Sequence, residues 1–364
     1  TVTYPFMTRK FFKYSDQTTF DVLSSLTKNK KLIGVLTGQW GDYGLPPSQS
    51  SFAMHALVAG HYLDGGNYPQ GTSRSIAETI SNVIEKNGGT LVVNAGVQEV
   101  LTSKGTAIGV LMENGDKIKS NIVISGAGVL NTYTKLIHGN NKLIHSVDKK
   151  MKKVKQTGSY VCLHIGLNKS TQDMIIKNTN LWIYPGYDHD QSLKKYLDNP
   201  RSEFPLVYVS FPSAKDDSWD EKHPNSGTIE AIIPSQMSWY SNWENTNWKK
   251  RGSEYDAHKE KLSKGILEVV LKHVPEIKNS IDFYELSTPL TVKSLANYSN
   301  GEMYGLDHSP RRFRQRWLRP SSGMKNLFFT GQDVTTVGVS SALFSGLLTA
   351  SAVLKKDLSI LLKN

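Results

Sequence analysis

The sequence contains a single cysteine, Cys162, among 364 residues. No disulfide can form within the chain, which is compatible with a reducing compartment without requiring one. A lone cysteine is more often a small apolar side chain than a nucleophile. No apolar run is long enough to span a bilayer; the best stretch, residues 341–354, is short and rich in small side chains. There is no signal peptide at the start, and the first residue is Thr1 rather than Met, so the chain is not expected to open at a translation start. His55 and His61 lie six apart and do not share a helix face. No Cys/His or H-E-x-x-H spacing exists, so no metal site is expected. No G-x-S-x-G elbow presents a nucleophilic serine, and no recognisable nucleic-acid module is present, so no nucleic-acid partner is expected.

The composition is that of a globular protein: 38% apolar and 21% charged. The length suffices for two domains sharing a core. The net charge of +11 is diffuse, with two clusters. Lys149, Lys150, Lys152, Lys153 and Lys155 read as a solvated basic face. Arg311, Arg312, Arg314 and Arg316 are interleaved with Phe313 and Trp317, which suggests contact with a ligand or a membrane surface. Trp239, Tyr240, Trp243 and Trp248, followed by Lys249, Lys250 and Arg251, could form an entry rim for a lipidic molecule or be partly buried aromatics.

The pattern along the chain changes several times. Residues 51–63 read as helix. A turn-rich stretch, residues 64–71, leads to an amphipathic helix carrying Ile76, Ile80, Val83 and Ile84, with Thr72 or Ser73 as cap and Gly88 as stop. Leu91-Val92-Val93 reads as a short buried strand. Strands at 97–101 and 107–112 flank a turn at Ser103-Lys104-Gly105. Asn114-Gly115 predicts a type I′ hairpin turn. A further apolar strand at 121–124 runs into Gly126-Ala127-Gly128. From about residue 152 to 290, strands at 159–167, 205–211 and 228–233 alternate with polar loops and an amphipathic helix at 258–273. His189 reads as part of a polar loop. A strand at 326–330 then precedes a final helix from about Val339.

The segment 326–342 carries the chemistry. It is a buried strand, a turn with Gly331 and Asp333, and small residues opening a helix. A carboxylate at a strand end can accept hydrogen bonds from sugar or ribityl hydroxyls, and an open helix N-terminus favours anionic or electron-rich groups. As spacing alone this could equally be a helix cap at a tight turn. The segment resembles the C-terminal FAD motif of the phytoene desaturase superfamily. Its Thr330-Gly331-Gln332-Asp333 form is similar to the retinol saturase and carotenoid isomerase group. Residues 36–44 and 50–57, Tyr68-Pro69-Gln70-Gly71-Thr72-Ser73, residues 95–100, 105–110, 129–133, 287–291 and Gly301–His308 continue the resemblance, which is weakest from about 170 to 260.

The resemblance implies a mixed α/β, two-domain FAD/NAD(P)-binding flavoprotein fold with a β-meander insert and an antiparallel-sheet substrate domain. Residues 1–62 would be a helical part of the substrate domain and 63–148 part of the FAD-binding domain. Residues 149–300 would form the α+β substrate domain, and 301–364 would return to the FAD-binding domain. FAD would be held by Val97, Gly331, Gln332, Asp333, Val337, Gly338, Ser340 and Ala342. Tyr68, Tyr304, Asp307 and His308 are candidate proton donors to a double bond that receives hydride from flavin. Thr72 stands where the family has a second glycine, which puts that turn's geometry in question. The family's opening βαβ unit with G-x-G-x-x-G, which anchors the FAD pyrophosphate, is absent from the sequence. A missing N-terminal segment or a partner chain is expected to supply it, and this chain alone is expected to bind FAD weakly or not at all. The substrate would be an apolar polyene or isoprenoid, retinoid- or carotenoid-like, saturated, desaturated or isomerised by a cytoplasmic or peripheral membrane protein. The rival reading is a flavin-free isoprenoid- or lipid-binding protein of the same fold.

Overall fold

The computed structural model describes residues 4–138 and 142–362. A three-stranded antiparallel meander is formed by β1 (Val97–Ser103), β2 (Thr106–Met112) and β3 (Lys117–Lys119). Its first turn places Lys104 and Gly105 at φ 48 and 75, the two positive values that a type I′ turn needs. The second turn differs from the sequence expectation. Only Gly115 is left-handed; its N–H donates to Met112 O (3.0 Å), and Asn114 instead accepts from Asp116 N. It is a type I turn followed by a bulge glycine.

After the meander, β4 (Val123–Ser125) runs parallel to the strand at the far end of the chain. The larger sheet contains β5 (Ser159–Leu167), β6 (Leu181–Ile183), β7 (Val207–Ser210), β8 (Gly227–Ser235) and β9 (Ile281–Ser287), ordered β6-β7-β8-β5-β9 with antiparallel neighbours throughout. Strict alternation decides its two faces. Val161, Leu163, Ile165, Val207, Val209, Ile229, Ala231 and Ile233 enter a core closed by Ile266 and Val270 of the helix Ser253–His273. Tyr160, Cys162, His164, Tyr208, Ser210, Glu230 and Ile232 occupy the other face. β10 (Leu327–Phe329) completes the pair with β4 and leads into the helix Val339–Leu354. Thr349 Oγ1 on that helix donates to Phe329 O (2.8 Å) and ties it to β10.

Apolar surface is left uncovered in the segment before β1. The helix Arg74–Lys86 buries no residue, and Ile80, Val83 and Ile84 are exposed. Leu91, Val92 and Val93 form no strand and are 48, 69 and 81% exposed. Apolar residues specify a buried strand only when a neighbouring strand accepts their backbone bonds, and none of the described strands pairs with them.

Three other readings can be compared with the structure. Of the two readings of the aromatic stretch, burial against the core of the larger sheet fits: Tyr240 is fully buried, Trp239 and Trp243 pack on the core, and Arg251 is buried, donating to Trp243 O and Thr246 O. His189 opens the helix His189–Asp198 and is buried, its Nε2 meeting Gly34 O at 2.8 Å. The arginine cluster divides: Arg311, Arg314 and Arg316 are exposed, and Arg312 alone turns inward. Arg312 is buried and Arg314 pairs with Asp16 at 2.9 Å. Among the described residues no helix is long and apolar enough to cross a membrane.

Candidate active site

Asp333 sits just past β10 and is 5% exposed. Its Oδ2 accepts from Val129 N (2.8 Å) and its Oδ1 from Leu306 N (3.0 Å), so one carboxylate fastens two loops. Both loops carry glycine beside it. A Cβ on Gly305 would stand 2.5 Å from Oδ1, and one on Gly128 3.3 Å from Oδ2. Behind it the Arg312 guanidinium donates to the carbonyls of Gln332 (3.1 Å), Asp333 (3.1 Å) and Thr335 (2.7 Å). Arg312 therefore folds the 332–335 turn from inside.

The other predicted residues divide into two groups. Gly331 (φ 98) donates its N–H to Ser345 Oγ at 2.6 Å, and Gln332 Nε2 donates to Tyr298 at 3.2 Å. Gly338 (φ 103) opens the last helix with no side chain capping the first turn. Val337, Gly338 and Ser340 line the mouth of a cavity there, while Ala342 follows in the next turn. Val97, at the start of β1, is 37% exposed and lies with the meander, outside that lining. Asp307 accepts from Ser309 N and Oγ (2.8 Å), stabilising its own loop. His308 is fully buried, and its Nε2 accepts the Val337 N–H (3.0 Å). Burial and the nearby Arg312 charge push its pKa well down. Tyr304 donates its hydroxyl proton to Gly41 O (2.9 Å), and burial raises its pKa strongly. Tyr68 lies by Lys215, whose ammonium is 5.8 Å from the ring centroid. At the neighbouring turn Thr72 keeps a left-handed backbone, φ 69, so the conformation available to the family's glycine persists under a β-branched side chain.

The cavity holds about 680 Å³ and runs from Thr335, Thr336, Val337, Gly338, Ser340 and Ser341 to Met54, Leu57, Val58 and Phe344. At one wall stands Asp42, which sequence reading did not single out. It ends the short turn Trp40–Asp42, accepts from Tyr62 Oη (3.1 Å), and burial raises its pKa to about 6. Burial raises the pKa of Tyr208, and the charges of Asp42 and Glu230 push it the same way, so polar groups continue from the cavity onto the outer face of the sheet. On that face Cys162, His164 and Glu230 bring potential ligand atoms within 4.8 Å of one another. Cys162 and His164 are two apart on β5, and Glu230 is directly opposite on β8, a grouping that no linear spacing announces. Lys215 places its positive charge against Glu230, which disfavours a cation there.

No protein-family model matches the chain. Among solved structures, an oxidoreductase from Methanosarcina mazei superposes with a TM-score of 0.59 over 93% of this chain and 68% of that one, at 12% identity. Wild-type putrescine oxidase bound to putrescine gives 0.59 over 94% and 69%, at 13% identity. The architecture is thus the two-domain fold of FAD-dependent oxidoreductases. In sequence, the chain is 35% identical to human all-trans-retinol 13,14-reductase over 365 residues, 97% of this chain and 60% of that protein. It is 31% identical to an inactive all-trans-retinol 13,14-reductase of Danio rerio, over 96% of this chain and 59% of that protein. It is 23% identical to Neurospora crassa phytoene desaturase, over 86% and 52%. The chain is thus similar in sequence to the all-trans-retinol 13,14-reductases and, more distantly, to the phytoene desaturases, as its motifs indicated. It spans about 60% of the length of the retinol reductases it matches.

Proposed function

We propose that this chain forms the substrate-binding and flavin-edge part of an FAD-dependent oxidoreductase acting on a C=C bond of an apolar polyene, retinoid- or carotenoid-like, with saturation as the reaction. The observation that carries the reading is the cavity. Apolar Met54, Leu57 and Val58 share the lining with Phe344 and the uncapped start of the helix that carries it, beside an acid of raised pKa, and a largely apolar wall with a small number of polar groups is how proteins bind small apolar ligands. The names of the relatives support the substrate class.

The residues present suit a flavin. Space is open where a Cβ would project at Gly331 and Gly338, so a flat group can approach the backbone there. The helix start offers N–H groups, and Asp333 retains lone pairs on oxygens that already accept one bond each. Gly331, Asp333, Val337, Gly338 and Ser340 would hold the ribityl and ring ends, with Val97 toward the adenine. Bound FAD supplies hydride in its reduced form. The protein's own contribution is to lay the polyene along the apolar wall, exclude water and deliver a proton. A nucleotide-binding unit on further polypeptide or on a partner chain would hold the pyrophosphate and cover Ile80, Val83, Ile84 and the 91–93 segment.

The test is a visible spectrum of this chain with and without FAD, beside a longer polypeptide that includes a G-x-G-x-x-G unit. Flavin bands in the longer form, bleached anaerobically and restored by a retinoid or carotenoid, support the reading. A longer form that never holds flavin but binds retinoid refutes it in favour of a flavin-free isoprenoid carrier.

A further inference from the structure

We propose that Asp42 is the acid that protonates the double bond and that Tyr62 connects it to solvent. The inference rests on the polyene reading of the cavity above. Asp42 is the one carboxylic acid among the residues lining that cavity. Its backbone is fixed from three sides. A Cβ on Gly41 would meet Trp182 at 2.7 Å and Leu206 at 2.9 Å, Gly41 O takes the Tyr304 proton, and Tyr43 is fully buried with its hydroxyl 3.3 Å from His55 Nδ1. A carboxyl held this firmly at an apolar wall is pre-positioned, as general acid catalysis requires.

None of the other candidates, Tyr68, Tyr304, Asp307, His308 and Asp333, lines that cavity. Asp307 is bonded to Ser309, the His308 ring nitrogen Nε2 accepts Val337 N–H, Tyr304 donates to Gly41, and both Asp333 oxygens hold loop N–H groups. The groups facing Asp42 are Tyr43 beside it, His61 at the end of the helix Phe52–His61 and Tyr62 just after it, Tyr160 on β5, Tyr184 after β6, Tyr208 on β7, and Tyr304. None of them is a fixed cation. His61 alone favours the carboxylate electrostatically, and burial outweighs it.

Saturation adds two C–H bonds and removes one π bond. Reduced FAD, where bound, would supply hydride to one carbon and be left oxidised, and Asp42 would give its O–H proton to the neighbouring carbon. Asp42 would be left as the carboxylate and would regain its proton through Tyr62, itself 40% exposed.

Two variants test this, Asp42→Asn and Tyr62→Phe. In this chain without flavin, an infrared difference titration of wild type against Asp42→Asn should show a carboxyl band titrating near pH 6. Tyr62→Phe should move that midpoint upward, because the lost hydrogen bond favours the carboxylate. In the flavin-loaded protein, anaerobic reoxidation of reduced flavin by retinol should slow as pH rises through that midpoint. Asp42→Asn should lower the rate by about 100-fold or more and abolish the pH limb, with flavin absorbance and retinol quenching of tryptophan fluorescence retained. Tyr62→Phe should shift the limb upward. If Asp42→Asn reoxidises at the wild-type rate, or if Tyr62→Phe leaves both midpoints unmoved, the assignment is overturned while the polyene reading stands. A wild type that no polyene reoxidises overturns the polyene reading and this assignment with it.

Discussion

Asp333→Ala should unfold the junction between the two parts of the chain even when no flavin is present. The carboxylate takes N–H bonds from Val129 (2.8 Å) and Leu306 (3.0 Å) in a site 5% exposed. A hydrogen bond to a charged group contributes about 1.5–3 kcal/mol, and truncation leaves both N–H groups buried without acceptors. Two such bonds give roughly 3–6 kcal/mol, against a total stability of about 5–15 kcal/mol for an ordinary domain. The loss of a negative charge beside buried Arg312 adds to the cost. Asp333→Asn keeps the shape and one acceptor but turns an amide NH₂ toward the second N–H, so it should lose about half as much. Urea denaturation of this chain, followed by tryptophan fluorescence, measures both variants. If Asp333→Ala lies within about 0.5 kcal/mol of wild type, the range of a neutral surface change, the tethering role is wrong and the residue serves the cofactor alone.

Further outcomes are expected. Thr72→Gly should stabilise the chain by roughly 0.5–1 kcal/mol in the same urea assay, since relief of a left-handed β-branched residue (about 1–2 kcal/mol) exceeds the entropic cost of glycine. A loss of stability would show that Thr72 makes compensating contacts. Gly305→Ala should cost about 2 kcal/mol or more, because the position has φ 63 and the new Cβ would stand 2.5 Å from Asp333. Burial lowers the pKa of His55, His189, His258 and His308, so the unfolded chain binds these protons more readily, and stability should fall as pH drops below about 6.5. Asp42 and Glu302, raised by burial, act in the opposite sense over a lower pH window. Denaturation midpoints that stay flat from pH 7.5 to 5 would refute the balance. Val83→Lys changes a residue already 58% exposed and should leave this chain's stability unchanged within about 0.5 kcal/mol. In the longer polypeptide it should weaken flavin retention, and unaltered retention would show that this helix face stays uncovered.

The parts of the fold legible in the sequence are those whose partners lie within the chain. The strand at residues 159–167 matches β5 to the residue, because Val161, Leu163 and Ile165 alternate against a core that the chain itself supplies. The last helix starts at Val339 as read, because Gly338 adopts φ 103 at the turn. The Leu91–Val93 expectation failed for the converse reason: its hydrophobicity is real, but no described strand bonds to it. The turn at Asn114-Gly115 failed on a finer point. Residue type allowed two left-handed positions, and the asparagine side chain's bond to Asp116 N favours a right-handed one.

A segment was legible, but not a set of roles. Val337 and Gly338 line the cavity while Gly331 and Asp333 lie outside that lining, and local pattern cannot show that the carboxylate of Asp333 is already engaged by Val129 and Leu306, residues 204 and 27 positions away. Arg312 looked like surface charge because arginine usually is; its three carbonyl partners all lie 20 to 23 residues later, in the turn it organises. Asp42 was not singled out, because no local spacing marks an acid between glycine and tyrosine as functional. The two flanking glycines held the signal. Gly41 is required because Trp182 and Leu206 fill the space of a Cβ, and Gly44 because φ is 79 and Tyr304 stands 2.8 Å from that space. Two neighbours that tolerate no side chain mark a backbone pinned against distant elements. An acid pinned between them at a cavity wall is positioned by the fold rather than by its own turn.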